Sequence, residues 1–106
     1  MPEVSLGLIP AAGGTQLLPR LLAPGRALDI LLTGRRFTAT DALRYGFITS
    51  AVPVDQLESA AMTLLWTALR APSPALTAAK RAVREGLDLP LAQGLALEQR
   101  LAGQFT

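Results

Sequence analysis

The sequence has no cysteine and no histidine. The first absence excludes a disulfide framework and any thiolate metal site, and it allows a reducing compartment. The second excludes a Ser-His-Asp triad and histidine-ligated zinc. Any general base must be a carboxylate, a lysine or a tyrosine. Aromatics make up only 5% of the chain, and net charge is +2 with one basic cluster at Lys80, Arg81 and Arg84. That falls short of the dense basic stripe of a nucleic-acid binder. No apolar run reaches the ~18 residues of a membrane span. The N-terminus lacks the basic leader and unbroken apolar run of a signal peptide. The expectation is a cytoplasmic protein with no metal, no nucleic-acid partner and no membrane partner.

What is there is apolar. Half of the 106 residues are hydrophobic, in a chain long enough for one small domain at most. So much apolar material implies packing against something else. That is either another part of the same fold or a second subunit.

Residues 3–9, "EVSLGLI", put Val4, Leu6 and Leu8 on one parity and read as a short strand stopped by Pro10. Ala11 to Thr15 is a turn whose glycines tolerate positive φ. From Gln16 the spacing of Leu17, Leu18, Leu21 and Leu22 is helical, and a second helix fits 26–33 with Gly34 after its end. Thr40 is placed as the cap of a short helix closed by Gly46, and "FITSAVP" reads as a second strand. Asp55 and Glu58 resemble a capping box for a helix with an apolar stripe from Leu57 to Leu69, which Pro72 stops. Ser73-Pro74 opens the next helix and Gly86 ends it. Asp88 and Pro90 open the last, through roughly Phe105. Its wide apolar arc of Leu91, Leu95, Leu97, Leu101, Ala102 and Phe105 predicts two-sided burial. Two strands do not make a stable sheet alone, so they read as the edge of a larger one.

Eight carboxylates are few enough to sort singly. Asp41, Asp55, Glu58 and Asp88 fit helix starts; Glu85 can pair with Arg81; Asp29 and Glu98 have Arg26 and Arg100 nearby. Only Glu3 has neither a helix nor a cap to serve, and it leads straight into an apolar segment. It is either a general acid/base or a solvated charge near a mobile end. The "AAGGTQ" turn lacks both the Gly-Lys-Ser/Thr of a phosphate loop and the GxGxxG of a dinucleotide site. Its free N–H groups could hold an anion or a polarised water, or the turn could simply join two elements.

"PEVSLGLIPAAGGTQLLPRLL", then "LLTGRRFTATDALRYGFITSAVP", then "KRAVREGLDLPLAQGLALE" resemble the enoyl-CoA hydratase/isomerase (crotonase) family over nearly the whole chain. The likeness is to the second half of that family's domain. It implies an α/β crotonase-like ββα spiral fold, of which this chain would be a mostly helical part with one or two short strands. Residues 1–53 would end the spiral core and carry the active-site turn. Residues 54–106 would be the helical part that the family uses to oligomerise.

The resemblance also implies a chemistry, the syn addition of water to 2-enoyl-CoA thioesters in fatty-acid metabolism. Isomerisation is the alternative, as is a non-catalytic piece that docks on full-length relatives. Glu3 matches the second of two catalytic glutamates, acting as acid/base on the β-carbon side. Ala11, at a position where the family often has glycine, would offer a backbone N–H to the attacking water. Gly13, Gly14 and Thr15 match the turn beside the acyl pocket. Gln16 and Arg20 match, whereas Leu17 stands where arginine is usual. The family's other glutamate and its two oxyanion-hole N–H groups lie on segments outside these residues. The chain therefore reads as truncated and inactive alone. No cofactor is implied beyond the coenzyme A of the substrate, and the expected assembly is a trimer or hexamer of identical chains.

Overall fold

The computed structural model describes residues 1–105. The chain divides after Pro53 into two compact units.

The first unit opens with a 3-10 turn, Glu3–Leu6, and continues into three helices: α1 Gly14–Leu21, α2 Pro24–Thr33 and α3 Ala39–Tyr45. Leucines at three- and four-residue spacing give α1 and α2 one apolar side each, and those sides meet. Leu18, Leu22, Ala27, Ile30 and Leu31 form the core, with Phe37 and Tyr45 packed against it. Pro24 starts α2 where a missing N–H costs nothing. Left-handed glycines end α2 and α3 at Gly34 and Gly46. Arg26 lies over the Tyr45 ring, 4.1 Å from its centroid, which ties α2 to α3.

The second unit holds a 3-10 turn, Val54–Gln56, then α4 Leu57–Ala68, α5 Ser73–Gly86, α6 Leu91–Ala102 and a last 3-10 turn, Gly103–Phe105. Helices α5 and α6 pack on each other. Small residues let them approach: a β-carbon on Gly94 would lie 3.5 Å from the Gly86 carbonyl oxygen. Leu97 and Leu101 are buried, while Leu91, Leu95 and Phe105 remain exposed. The two-sided burial expected of the last helix is therefore one-sided here. Helix α4 forms as its stripe predicts, yet none of its residues is buried.

The expected strands are absent among the described residues. Residues 3–9 coil through the 3-10 turn and Gly7, whose φ is +73°. "FITSAVP" runs through bends. A strand needs a neighbour for its N–H and C=O groups, and these segments have none here. Two caps also move. Thr38, not Thr40, caps α3 in a full capping box with Asp41. The Asp55–Glu58 box does not form, because the 3-10 turn leads directly into α4 and Gln56 takes the cap position without a side-chain bond.

Candidate functional site

Glu3 begins the first 3-10 turn. The turn is tied to Pro2, whose carbonyl accepts from the Ser5 N–H at 3.1 Å and the Ser5 hydroxyl at 2.6 Å. The Glu3 carbonyl accepts from the Leu8 N–H at 3.0 Å. The Glu3 side chain is half-buried, and its Oε2 is shut off from solvent with no hydrogen-bond partner among the described residues. Enclosed polar atoms are normally satisfied. An enclosed carboxylate oxygen with its acceptor capacity unused is able to take a proton or hold one donor. Glu3 is thus not the freely solvated end-group that its sequence position allowed.

The glycine turn lies beside the same stretch of chain. Pro10 is buried, Ala11 and Ala12 are exposed, and Gly13, Gly14 and Thr15 are half-buried. Gly13 caps α1 at φ +98°, a left-handed conformation that favours glycine. Its carbonyl accepts from the N–H groups of Gln16 and Leu17 at 3.1 and 2.8 Å. No side chain caps the first turn of α1. Gly14 meets the start of the chain: a β-carbon there would lie 2.8 Å from the Met1 sulfur and 3.0 Å from Pro10 Cβ. Met1 therefore seats on Gly14 two residues before Glu3.

Ala11 keeps its N–H in an unstrained backbone, since no residue other than glycine among those described has positive φ. Alanine therefore meets no left-handed strain there. No hydrogen bond joins Glu3 to the turn. Arg20 turns back on its own helix, donating to the Gln16 carbonyl at 2.8 Å and to its side-chain oxygen at 3.2 Å. Leu17 is exposed.

Sequence reasoning missed Met1 and Gly34 as parts of this neighbourhood. A β-carbon on Gly34 would lie 3.2 Å from the Met1 carbonyl oxygen and 3.2 Å from Pro2 Cα. Gly34 is legible as a helix end, but its contact is tertiary and leaves no local signal. Elsewhere, the groove lined by Val83, Gly86, Leu91, Gly94, Leu95 and Glu98 is mostly apolar, and Glu98 alone does not make the convergent set of polar groups that chemistry requires. Among the described residues no cluster of acidic side chains could hold a metal ion, and no helix is long and apolar enough to cross a membrane.

A family model described as enoyl-CoA hydratase/isomerase matches residues 1–106. The chain belongs to the enoyl-CoA hydratase/isomerase family. The "Probable enoyl-CoA hydratase" of Rhizobium meliloti is 40% identical over 100 residues, covering 94% of this chain and 39% of that protein. An enoyl-CoA hydratase of Bacillus anthracis superposes with a TM-score of 0.81 at 39% identity, covering 95% of this chain and 39% of that one. Another, from Geobacillus kaustophilus, gives 0.78 at 38% identity, covering 98% and 40%. The fold is therefore that of the enoyl-CoA hydratases, and the helical content described above is the part of it present here. The chain spans about two fifths of the length of the relatives it matches (39% for the first).

Proposed function

We propose that this chain carries the water side of an enoyl-CoA hydratase site, with Glu3 as its acid/base. The supporting observation is the enclosed, unpartnered Oε2 of Glu3 beside the glycine turn. The substrate is a 2-enoyl-CoA thioester. Glu3 accepts a hydrogen bond from a water and takes its proton as the water oxygen bonds to the β-carbon. The Ala11 N–H holds the same water, and Gly13, Gly14 and Thr15 border the acyl chain. On this reading the donor of the α-carbon proton, and the donors that stabilise the charged thioester oxygen, are not among these site residues. Each such donor is commonly worth ~3–4 kcal/mol, so the isolated chain is expected to be inactive.

The test is hydration of a short 2-enoyl-CoA, followed as loss of the conjugated thioester absorbance, in the full-length polypeptide that contains this sequence. Glu3→Gln keeps the shape and removes the acid/base. The expected loss is about 10²–10⁴-fold. An unchanged rate in a folded Glu3→Gln protein would overturn the assignment.

A second reading, non-catalytic docking on full-length relatives, is favoured by the exposed Leu91 and Leu95 on α6. Light scattering on the isolated chain decides it. A stable monomer that binds no hydrophobic dye would count against docking.

A further inference from the structure

We infer that Gly34 is a positioning residue for Glu3. The inference rests on the reading of Glu3 just given and adds what holds the carboxylate in place. Gly34 follows the last residue of α2 at φ +64°, and its N–H donates to the Ile30 carbonyl at 3.0 Å. Glycine is ordinary at a helix end. The neighbour is not ordinary, because the Met1 carbonyl oxygen and Pro2 Cα both lie 3.2 Å from where a β-carbon would be. Both are backbone atoms, so no side-chain rotation relieves the contact. Gly46 supplies the comparison. It ends α3 in the same left-handed conformation, φ +81°, with open space where its β-carbon would go.

The contact transmits to Glu3 through hydrogen bonds. Pro2 is the residue whose carbonyl receives both Ser5 donors, and the Glu3 carbonyl receives Leu8. Pro2 and the 3-10 turn therefore move together. On the other side, Ile30 and Leu31 anchor the end of α2 in the core. The bare backbone of Gly34 thus lets the residues before Glu3 rest against a fixed point. A methyl group there requires Met1–Pro2 to give by a few tenths of an ångström, and the hydrogen-bonded turn carries the Glu3 carboxylate with them.

The test compares Gly34→Ala with Gly46→Ala in the full-length polypeptide. Both variants carry left-handed backbone strain, and Gly34→Ala adds the contact with Met1 and Pro2, so it should melt somewhat below Gly46→Ala while both stay folded at the assay temperature. Misplacing a reacting group by 1 Å can cost ~10²-fold, so this smaller shift should lower kcat by about 10-fold in Gly34→Ala. KM should hold, and Gly46→Ala should keep the wild-type kcat. Adding Gly34→Ala to Glu3→Gln should cost nothing further, because Gly34 acts through Glu3. The inference is overturned if Gly34→Ala matches Gly46→Ala in kcat, if only KM rises, or if the loss persists in full on top of Glu3→Gln. Full activity of Glu3→Gln alone would instead overturn the role of Glu3, and it is scored first. Should Gly34→Ala not fold, Gly34→Asn and Gly46→Asn replace the pair. Asparagine tolerates the left-handed backbone and carries the same β-carbon.

Discussion

The Met1 sulfur sits where Gly14 leaves room for it: Sδ is 2.8 Å from the position a β-carbon on Gly14 would take. Gly14 is the first residue of α1, where alanine would ordinarily gain up to ~1 kcal/mol in helix propensity. Here the Met1 thioether, the end of a flexible and exposed side chain, can swing aside at little cost, but the methyl also presses on Cβ of the buried Pro10 at 3.0 Å, which cannot. Overpacking of this kind costs about 1–3 kcal/mol, so sterics win. Gly14→Ala is expected to lower unfolding stability by about 1 kcal/mol in urea titration. A stabilised variant would mean that the Pro10 contact is not tight.

The helices were legible because their apolar spacing is local. Helix α2 ends at the expected Gly34, and the Arg81–Glu85 pair forms at 2.6 Å. The strands were not legible, because alternation in "EVSLGLI" says nothing of whether a partner strand is at hand. Val4, Leu6 and Leu8 are all exposed. Asp29 shows the same limit at the scale of one ion pair. Arg26, its helical neighbour, lies at 3.9 Å, while Arg35, beyond the helix end, binds it at 2.9 Å. Glu3 could be singled out by elimination, but its enclosure depends on the fold around it. The seat that Gly34 offers Met1 and Pro2 is likewise tertiary.

Thr38 and Asp41 give α3 a reciprocal cap: each side chain accepts the other's backbone N–H at 3.1 Å. Thr38→Ala is expected to cost about 0.5–2 kcal/mol. The same bond makes the cap pH-sensitive. The Thr38 N–H foremost, then the Thr38 hydroxyl and the Arg44 charge, hold the Asp41 carboxyl below its ordinary value. A group depressed in the folded state stabilises fully above its unfolded pKa, and that stability is lost as pH falls through the folded value. The melting gap between wild type and Asp41→Asn should therefore be widest near pH 7 and close below about pH 4. A gap of the same size at both would sink this account.

Ile30 is the largest fully enclosed side chain, 1% exposed, in a unit of 53 residues. Burial is limited at that size, so little stability is held in reserve. Ile30→Ala is expected to cost about 2–5 kcal/mol and to unfold α1 and α2 together. Leu32, on the opposite side of α2 and 64% exposed, is the control. Leu32→Ala should stay within about 0.5 kcal/mol of wild type. Helical circular dichroism under urea distinguishes the two, and equal effects would place the core elsewhere.

Helix α4 presents Leu64, Leu65 and Trp66 at once, with Trp66 64% exposed. A helix with so wide an apolar arc is stabilised in water when that arc is covered. Trp66 is the one tryptophan of the sequence, so its fluorescence reports α4 alone. In the isolated 106-residue chain, the emission should be red-shifted and readily quenched by acrylamide. In the full-length polypeptide, with any other tryptophan replaced by phenylalanine, it should shift to the blue and resist quenching. Trp66→Glu separates covering from simple self-association. It should make the isolated chain more soluble, because it removes an aggregating surface, and should destabilise the full-length protein, because it places a charge where apolar contact forms. Identical emission in the two proteins would show that α4 remains uncovered in both.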